Sequence, residues 1–202
     1  MGLEAACKVS FDGKVSEGKA LLESAELLFR GDFRVKIPFQ QISALETKNG
    51  RLTVTFPQGV AHFELGPAAE KWRDKIRHPK SLLDKLGVTA DSRVAVLDID
   101  DANFRAQLSE RTSERLENKL AKECDFIFFG VTGKSSLRRL DNLLKHLTKT
   151  GAIWVIYPKG RPHINENDVR NAGKAAGLVD VKVVGFSSTH SGLKLVIPKT
   201  KR

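Results

Sequence analysis

The acidic turn that follows the apolar segment 93–99 is the first candidate for chemistry in this sequence. A turn between a buried strand and a helix can bind a nucleotide cofactor when glycines let the backbone approach the ligand. The segment 98–102 reads DIDDA and contains no glycine. The sequence therefore predicts that neither adenosylmethionine nor a nicotinamide dinucleotide binds at this turn, and it indicates no other cofactor. We expect Asp100 and Asp101 to cap the next helix instead, because carboxylates accept hydrogen bonds from the free N–H groups of a first helical turn.

The remaining motifs each fail at a required position. Glu114 and Glu117 are only nominal candidates for the carboxylate that would bind a cofactor ribose. The segment 128–135, FFGVTGKS, is like a phosphate-binding loop, but such a loop needs glycine where Phe128 stands. The five histidines show neither H-x-x-x-H nor H-E-x-x-H spacing, and no serine lies in a G-x-S-x-G turn. The sequence thus indicates no catalytic residue and no metal site, and it favours a protein without catalysis.

Three basic residues follow predicted strand ends: Lys134, Lys159 and Arg161. Ligands of open α/β sheets bind outside the carboxyl ends of the strands, so these three side chains can converge on a phosphate or a carboxylate. Other cations of the same region lie opposite the leucines of a predicted helix, where solvated charges are usual; they are Arg138, Arg139 and Lys145. We therefore predict a site for a small anion or a polar partner at the first three residues.

The basic charge of the chain is concentrated in its last third. Residues 133–202 contain 14 Lys and Arg against 4 Asp and Glu, whereas residues 1–79 contain 12 against 10. Such a region is compatible with nucleic-acid binding, but its lysines are scattered and have no aromatic residues between them. An unknown protein or a small anionic ligand is the favoured partner, and nucleic acid stays open as the weaker alternative.

The elements that must position these residues are organised around segment 151–160, GAIWVIYPKG, which has the continuous apolar pattern of a strand buried on both faces. Leucines at helical spacing predict a helix over 135–150, and 165–177 predicts another. Further strands are predicted at 93–99 and 124–130, with 113–119 either strand or loop. The chain closes in an antiparallel hairpin. We expect a doubly wound, mostly parallel α/β sheet that ends in this hairpin.

The first part of the chain changes its pattern every six to ten residues between positions 8 and 65, which predicts about seven short strands. Asn49-Gly50 predicts a hairpin turn, and a helix is expected from Pro67 to His78-Pro79. Strands followed by one helix resemble the PH-like fold, including its bacterial and GRAM-type versions. This resemblance covers residues 8–78 and implies a β-barrel or sandwich closed by a helix. Domain boundaries of 1–78 and 79–202 follow.

The second part resembles a bacterial family known only as a domain of unknown function, with a Rossmann-like, methyltransferase-like fold. The resemblance covers about residues 80–199 and rests on GAIWVIYPKG and on DVRNAGKAAGLVDVKVVGFSSTHSGLKLVIPK. It implies a degenerate methyltransferase-like domain and brings no catalytic residues. We expect a non-catalytic binding or scaffolding module. Two alternatives stay open: a methyltransferase-like enzyme with an atypical cofactor loop, and a protein that binds nucleic acid or anions.

The cysteine content and the lack of long apolar runs indicate the cellular compartment. Cys7 and Cys124 are far apart and form no CxxC motif, so a disulfide framework is not expected. No apolar run approaches the roughly 20 residues that span a bilayer, and no export or lipidation signal is recognisable at the start. These features predict a cytoplasmic protein without a membrane span.

Overall fold

The computed structural model describes residues 2–201, which divide into two compact units between Lys80 and Ser81. The first unit consists of seven strands and one helix: β1 (Leu3–Phe11), β2 (Lys14–Leu22), β3 (Glu26–Arg30), β4 (Arg34–Pro38), β5 (Ala44–Lys48), β6 (Arg51–Phe56), β7 (Gly59–Glu64) and α1 (Ala68–Arg77). Asn49 and Gly50 both have positive φ values, 51° and 76°, so the predicted hairpin turn between β5 and β6 is confirmed.

The strands of the first unit form one open antiparallel sheet with the order β4-β3-β2-β1-β7-β6-β5. Strands β4 and β5 are joined through a 3₁₀ turn, Phe39–Gln41, and pair only with β3 and β6 respectively. The sheet is therefore a half-barrel with two free edges, and the predicted PH-like barrel or sandwich is wrong. Helix α1 contributes Trp72 and Ile76 to the core of this sheet.

The second unit contains four helices and six strands: α2 (Leu82–Leu86), β8 (Val94–Leu97), α3 (Ala102–Arg111), β9 (Arg115–Glu117), β10 (Cys124–Gly130), α4 (Leu140–Leu144), β11 (Leu147–Pro158), α5 (Glu166–Ala175), β12 (Val179–Gly185) and β13 (His190–Val196). The strand order is β12-β13-β11-β10-β8-β9. Strands β9, β8, β10 and β11 pair in parallel, whereas β13 pairs antiparallel with both β11 and β12. The sheet is mixed, which corrects the prediction of a mostly parallel Rossmann-like sheet.

The predicted helix over 135–150 is replaced by three shorter elements. Residues Lys134–Arg139 form a 3₁₀ turn, α4 spans only five residues, and β11 already begins at Leu147. Leu147 pairs with Cys124 of β10, so the end of the leucine-rich segment is used for sheet pairing. The β-branched Thr148 and Thr150 favour this extended conformation.

Helix ends in the second unit follow the local sequence. Ser81 caps α2 in a capping box with Asp84, and Gly87 ends that helix with a positive φ of 88°. Asn165 caps α5 through its side chain. Both sheet faces are covered by apolar side chains, and the central strand β11 is buried from Gly151 to Tyr157. No helix described between residues 2 and 201 is long and apolar enough to cross a membrane.

Candidate functional site

The backbone that follows β8 runs directly against the carboxyl end of β10. Strand β8 pairs in parallel with β10, so the turn after β8 and the end of β10 lie at the same edge of the sheet. This turn begins at Asp98, which has a positive φ of 54°. A Cβ added to Gly130, the last residue of β10, would lie 1.9 Å from the backbone oxygen of Asp98 and 2.7 Å from its carbonyl carbon. The main chain of the turn therefore occupies the space next to the end of β10.

The acidic turn also begins helix α3. The Asp101 Oδ1 accepts a hydrogen bond from the Phe104 N–H at 2.9 Å, so the predicted capping role is confirmed for Asp101. The structure assigns no such bond to Asp100, which is exposed. The carboxylate of Asp101 is thus used within the fold to satisfy a free N–H of the first helical turn.

Glu117, at the end of β9, lies between two guanidinium groups. Its Oε1 is 3.1 Å from the Arg115 Nε, and its Oε2 is 3.8 Å from the Arg105 Nε. Arg105 also donates from Nη2 to the backbone oxygen of Ile99 at 2.6 Å. Glu117 lies at a strand end, where a ribose-binding carboxylate would be expected, but its carboxylate forms ion pairs with Arg105 and Arg115. Glu114, the other nominal candidate, lies 3.7 Å from the Arg93 Nε.

Arg139 joins this strand edge although the sequence pattern predicts a solvated position. Its Nη1 donates to the Asp98 Oδ2, and its guanidinium lies 4.8 Å from the centroid of the Phe129 ring. Arg139 is exposed, as expected, but it ends a 3₁₀ turn and does not lie within one continuous helix, and it pairs there with Asp98. The apolar run around Phe129 contains no signal for this pairing.

The three predicted anion-binding residues have different local partners. The Lys134 Nζ lies 2.8 Å from the Asp168 Oδ1 in the first turn of α5, and this hydrogen bond lowers the pKa of Asp168 below its usual value. The Lys159 Nζ donates to the Ser187 backbone oxygen at 2.6 Å in the β12–β13 loop. Arg161 is exposed in the segment after β11. Within residues 2–201, no hydrogen bond or ion pair joins any two of these three side chains.

A partly buried polar network lies beside this edge, between β11 and α5. The Tyr157 hydroxyl donates to the Glu166 Oε2 at 3.2 Å, and the Arg170 Nε donates to the Glu166 Oε1 at 3.0 Å. Arg170 also pairs with Asp180 of β12. Burial raises the pKa of Tyr157 to about 12, with further contributions from the charge and the hydrogen bond of Glu166. The network ties the end of β11 to α5 and β12, and sequence reasoning missed it because its members belong to three different elements that meet only in the fold.

The hydroxyl groups of the β12–β13 loop and the ring of His190 at its end form only local contacts. The Ser187 Oγ accepts from the backbone N–H groups of Thr189 and His190, at 3.3 and 3.1 Å. The Thr189 Oγ1 lies 2.9 Å from the His190 Nδ1. In the described part of the chain, no three His, Cys, Asp or Glu residues are grouped so that they could hold a metal ion. The loop is thus a hydrogen-bonded turn.

Comparisons with known proteins agree with the resemblance of the second unit to a family of unknown function. The model of the family described as "Protein of unknown function (DUF3052)" matches residues 83–199. No curated protein matches the sequence. A SAM-dependent methyltransferase from Aquifex aeolicus is similar in structure at 16% identity, with 58% of this chain and 88% of that chain covered and a TM-score of 0.48. A TehB-like SAM-dependent methyltransferase from Corynebacterium glutamicum is similar at 12% identity, with 64% and 96% covered and a TM-score of 0.42.

Proposed function

We propose that this chain, which belongs to the DUF3052 family of proteins of unknown function, is a non-catalytic binding module. The observation that carries the proposal is the contact between the Asp98 carbonyl and Gly130, because it fills the strand edge where a cofactor would have to enter. A nucleotide cofactor at such an edge is held by backbone N–H groups that approach its phosphates or its carboxylate closely. In this chain the turn after β8 instead presents the Asp98 carbonyl oxygen and the side chains of Asp98 and Asp100.

Two further contacts support the absence of a cofactor crevice. The Asp98 carboxylate is paired with Arg139, and Glu117 is paired with Arg105 and Arg115. A ribose hydroxyl would have to displace a guanidinium from Glu117 before it could be bound there. A hydroxyl that took the place of a guanidinium beside this carboxylate would remove a positive charge from a partly buried ion pair, which is unfavourable.

Isothermal titration calorimetry with adenosylmethionine and with NAD tests this proposal. We expect no measurable binding of either cofactor to a sample that melts cooperatively. A dissociation constant in the low micromolar range, which corresponds to roughly −8 kcal/mol, would overturn the non-catalytic assignment. For adenosylmethionine it would favour the alternative, a methyltransferase-like enzyme with an atypical cofactor loop.

We propose that the module binds its partner, a protein or a small anionic ligand, through Lys134, Lys159 and Arg161. Support comes from the positions of these residues: β10 and β11 are parallel neighbours, and each cation lies within a few residues of the end of one of them. The charge excess of residues 133–202 favours an anionic partner. An anion would compete with Asp168 for Lys134 and with the Ser187 carbonyl for Lys159.

The test is a titration of phosphate and of a polynucleotide into a triple variant with alanine at all three positions. A matched control replaces three exposed cations of the same unit that have no ion pair among the described residues: Arg138, Lys145 and Lys149. We expect binding to weaken in the first variant and to persist in the control. Equal losses in both variants across a salt series would mean a diffuse basic surface and would overturn this site.

A further inference from the structure

Two lysines lie side by side on the sheet face that the end of α2 contacts. Lys182 of β12 and Lys194 of β13 are direct cross-strand partners, and Lys194 is in turn the register partner of Trp154 on β11. The Lys182 Nζ donates to the Lys85 backbone oxygen at 2.7 Å, and the Trp154 Nε1 donates to the Leu86 backbone oxygen at 3.1 Å. Like charges directly opposite each other on neighbouring strands repel, so this pair opposes folding.

Aromatic rings make the environment of Lys194 partly apolar. Its Nζ lies 5.4 Å from the centroid of the Phe126 ring and 5.8 Å from that of Trp154. Burial, and secondarily the charge of Lys182, lowers the pKa of Lys194 below its ordinary value. The ring faces attract the ammonium, but such contacts contribute only about 0.5–2 kcal/mol and provide no counter-charge.

The pair lacks a carboxylate partner. Every ion pair among residues 2–201 involves other cations, and the acidic residue nearest in sequence on β12, Asp180, is paired with Arg170. Asp84 of α2 is paired with Arg111. Solvated lysines on a helix surface need no partner, but two ammonium groups that share one sheet face, one of them half-buried against aromatic rings, are stabilised when an anion lies between them.

We propose that Lys182 and Lys194, with the half-buried ring of Phe126 beside them, form a binding site for an oxyanion, a phosphate or carboxylate group that accepts hydrogen bonds from both ammonium groups. Two oxygens on one centre suit two donors on adjacent strands, because opposite Cβ atoms on paired strands are only about 4.5–5.5 Å apart. The site lies on a face of the sheet and shares no residue with the strand-end group of Lys134, Lys159 and Arg161. It therefore goes beyond the proposed function and does not depend on it.

Thermal melts of the full chain at constant ionic strength test this site, with inorganic phosphate or succinate replacing chloride. The wild-type melting temperature should rise with phosphate or with succinate, since an anion that binds only the folded state stabilises it by mass action. A rise in melting temperature with phosphate alone indicates a phosphate ligand, and a rise with succinate alone indicates a carboxylate ligand. Lys194→Met keeps an unbranched side chain against the rings and removes the charge. It should melt higher than wild type in chloride and should bind the anion at least tenfold more weakly.

Three further variants complete the test. Lys182→Met should lose the anion-dependent rise as well, which keeps the test decisive if Lys194→Met does not fold. Lys145→Met removes an exposed lysine of the same unit and should keep the full rise. The triple alanine variant of the strand-end group should also keep it, which separates failure of this site from failure of the proposed function. No rise in the wild type with either anion, or a rise that both Met variants at 182 and 194 retain, would overturn the proposal.

Discussion

Replacement of Gly130 by alanine tests the closed strand edge directly. The new Cβ would lie 1.9 Å from the Asp98 oxygen, whereas real Cβ contacts below 3.0 Å are essentially never observed, so backbone must move by more than 1 Å. The turn cannot shift freely, because Leu97 is buried before it and Asp98 is held by Arg139. We expect a loss of about 1–3 kcal/mol in unfolding free energy, the usual range for overpacking. For a chain of this size this lowers the melting temperature by about 2–12 °C.

Gly133→Ala is the matched control, three residues further along the same segment. No atom lies within 4 Å of a Cβ added there, and its φ of −163° is an extended conformation that alanine adopts without strain. This variant should change the unfolding free energy by less than about 0.5 kcal/mol. Urea unfolding measures the free energies of both variants, and they can be compared directly if the dependence of unfolding free energy on urea concentration has the same slope in both. If the two variants were equally stable, the Asp98 carbonyl would not fill the edge and the main support for a non-catalytic module would be lost.

Two other predictions concern the second unit. Tyr157 is the only tyrosine, so tyrosinate absorbance measures its pKa, which burial and then Glu166 raise to about 12. The folded state keeps the phenolic proton that the unfolded state releases near pH 10. This contribution to stability is therefore complete below pH 10 and is lost as the pH rises to about 12. A tyrosinate titration midpoint near pH 10, in a sample with native circular dichroism, would contradict this prediction. Residues 80–202, expressed alone, should melt cooperatively, and a fragment without a cooperative melt would refute the proposed domain boundary.

Local features of the fold were predictable because they depend on a few adjacent residues. The turn at Asn49-Gly50, the caps at Ser81 and Asn165 and the stop at Gly87 all follow from backbone preferences and short-range hydrogen bonds. The closure of the first sheet was not predictable in this way. Whether β4 and β5 pair with each other depends on the whole path of the chain between them, and the 3₁₀ turn at Phe39–Gln41 is the only local trace of it.

The leucine-rich segment 135–150 shows how tertiary pairing overrides a helical pattern. Its leucines recur at helical spacing, yet the last of them, Leu147, is the first residue of β11. Strand β10 offers Cys124 as a parallel partner, and the ladder that follows aligns Phe126 to Gly130 with Ala152 to Ile156. Leu147 packs against the core, whereas Lys149 and Thr150 are exposed, so the start of β11 is held mainly by its pairing with β10.

The candidate site shows the same division between local and distant causes. The missing glycines after β8 predicted that side chains would exclude a cofactor, whereas the contact that the structure shows there is a backbone one, between the Asp98 carbonyl and Gly130, and its only trace in the sequence is the glycine at position 130. The basic charge is likewise divided by contacts that the sequence does not reveal: Lys134, Arg139 and Arg170 have carboxylate partners, whereas Lys182 and Lys194 have none among residues 2–201. Lys159 and Lys182 each already donate to a backbone carbonyl, so the two sites differ at Lys134, which must leave Asp168 before it binds an anion, and at Lys194, which has no carboxylate to leave among the described residues. The Lys182 and Lys194 pair should therefore bind at lower anion concentration than the strand-end group.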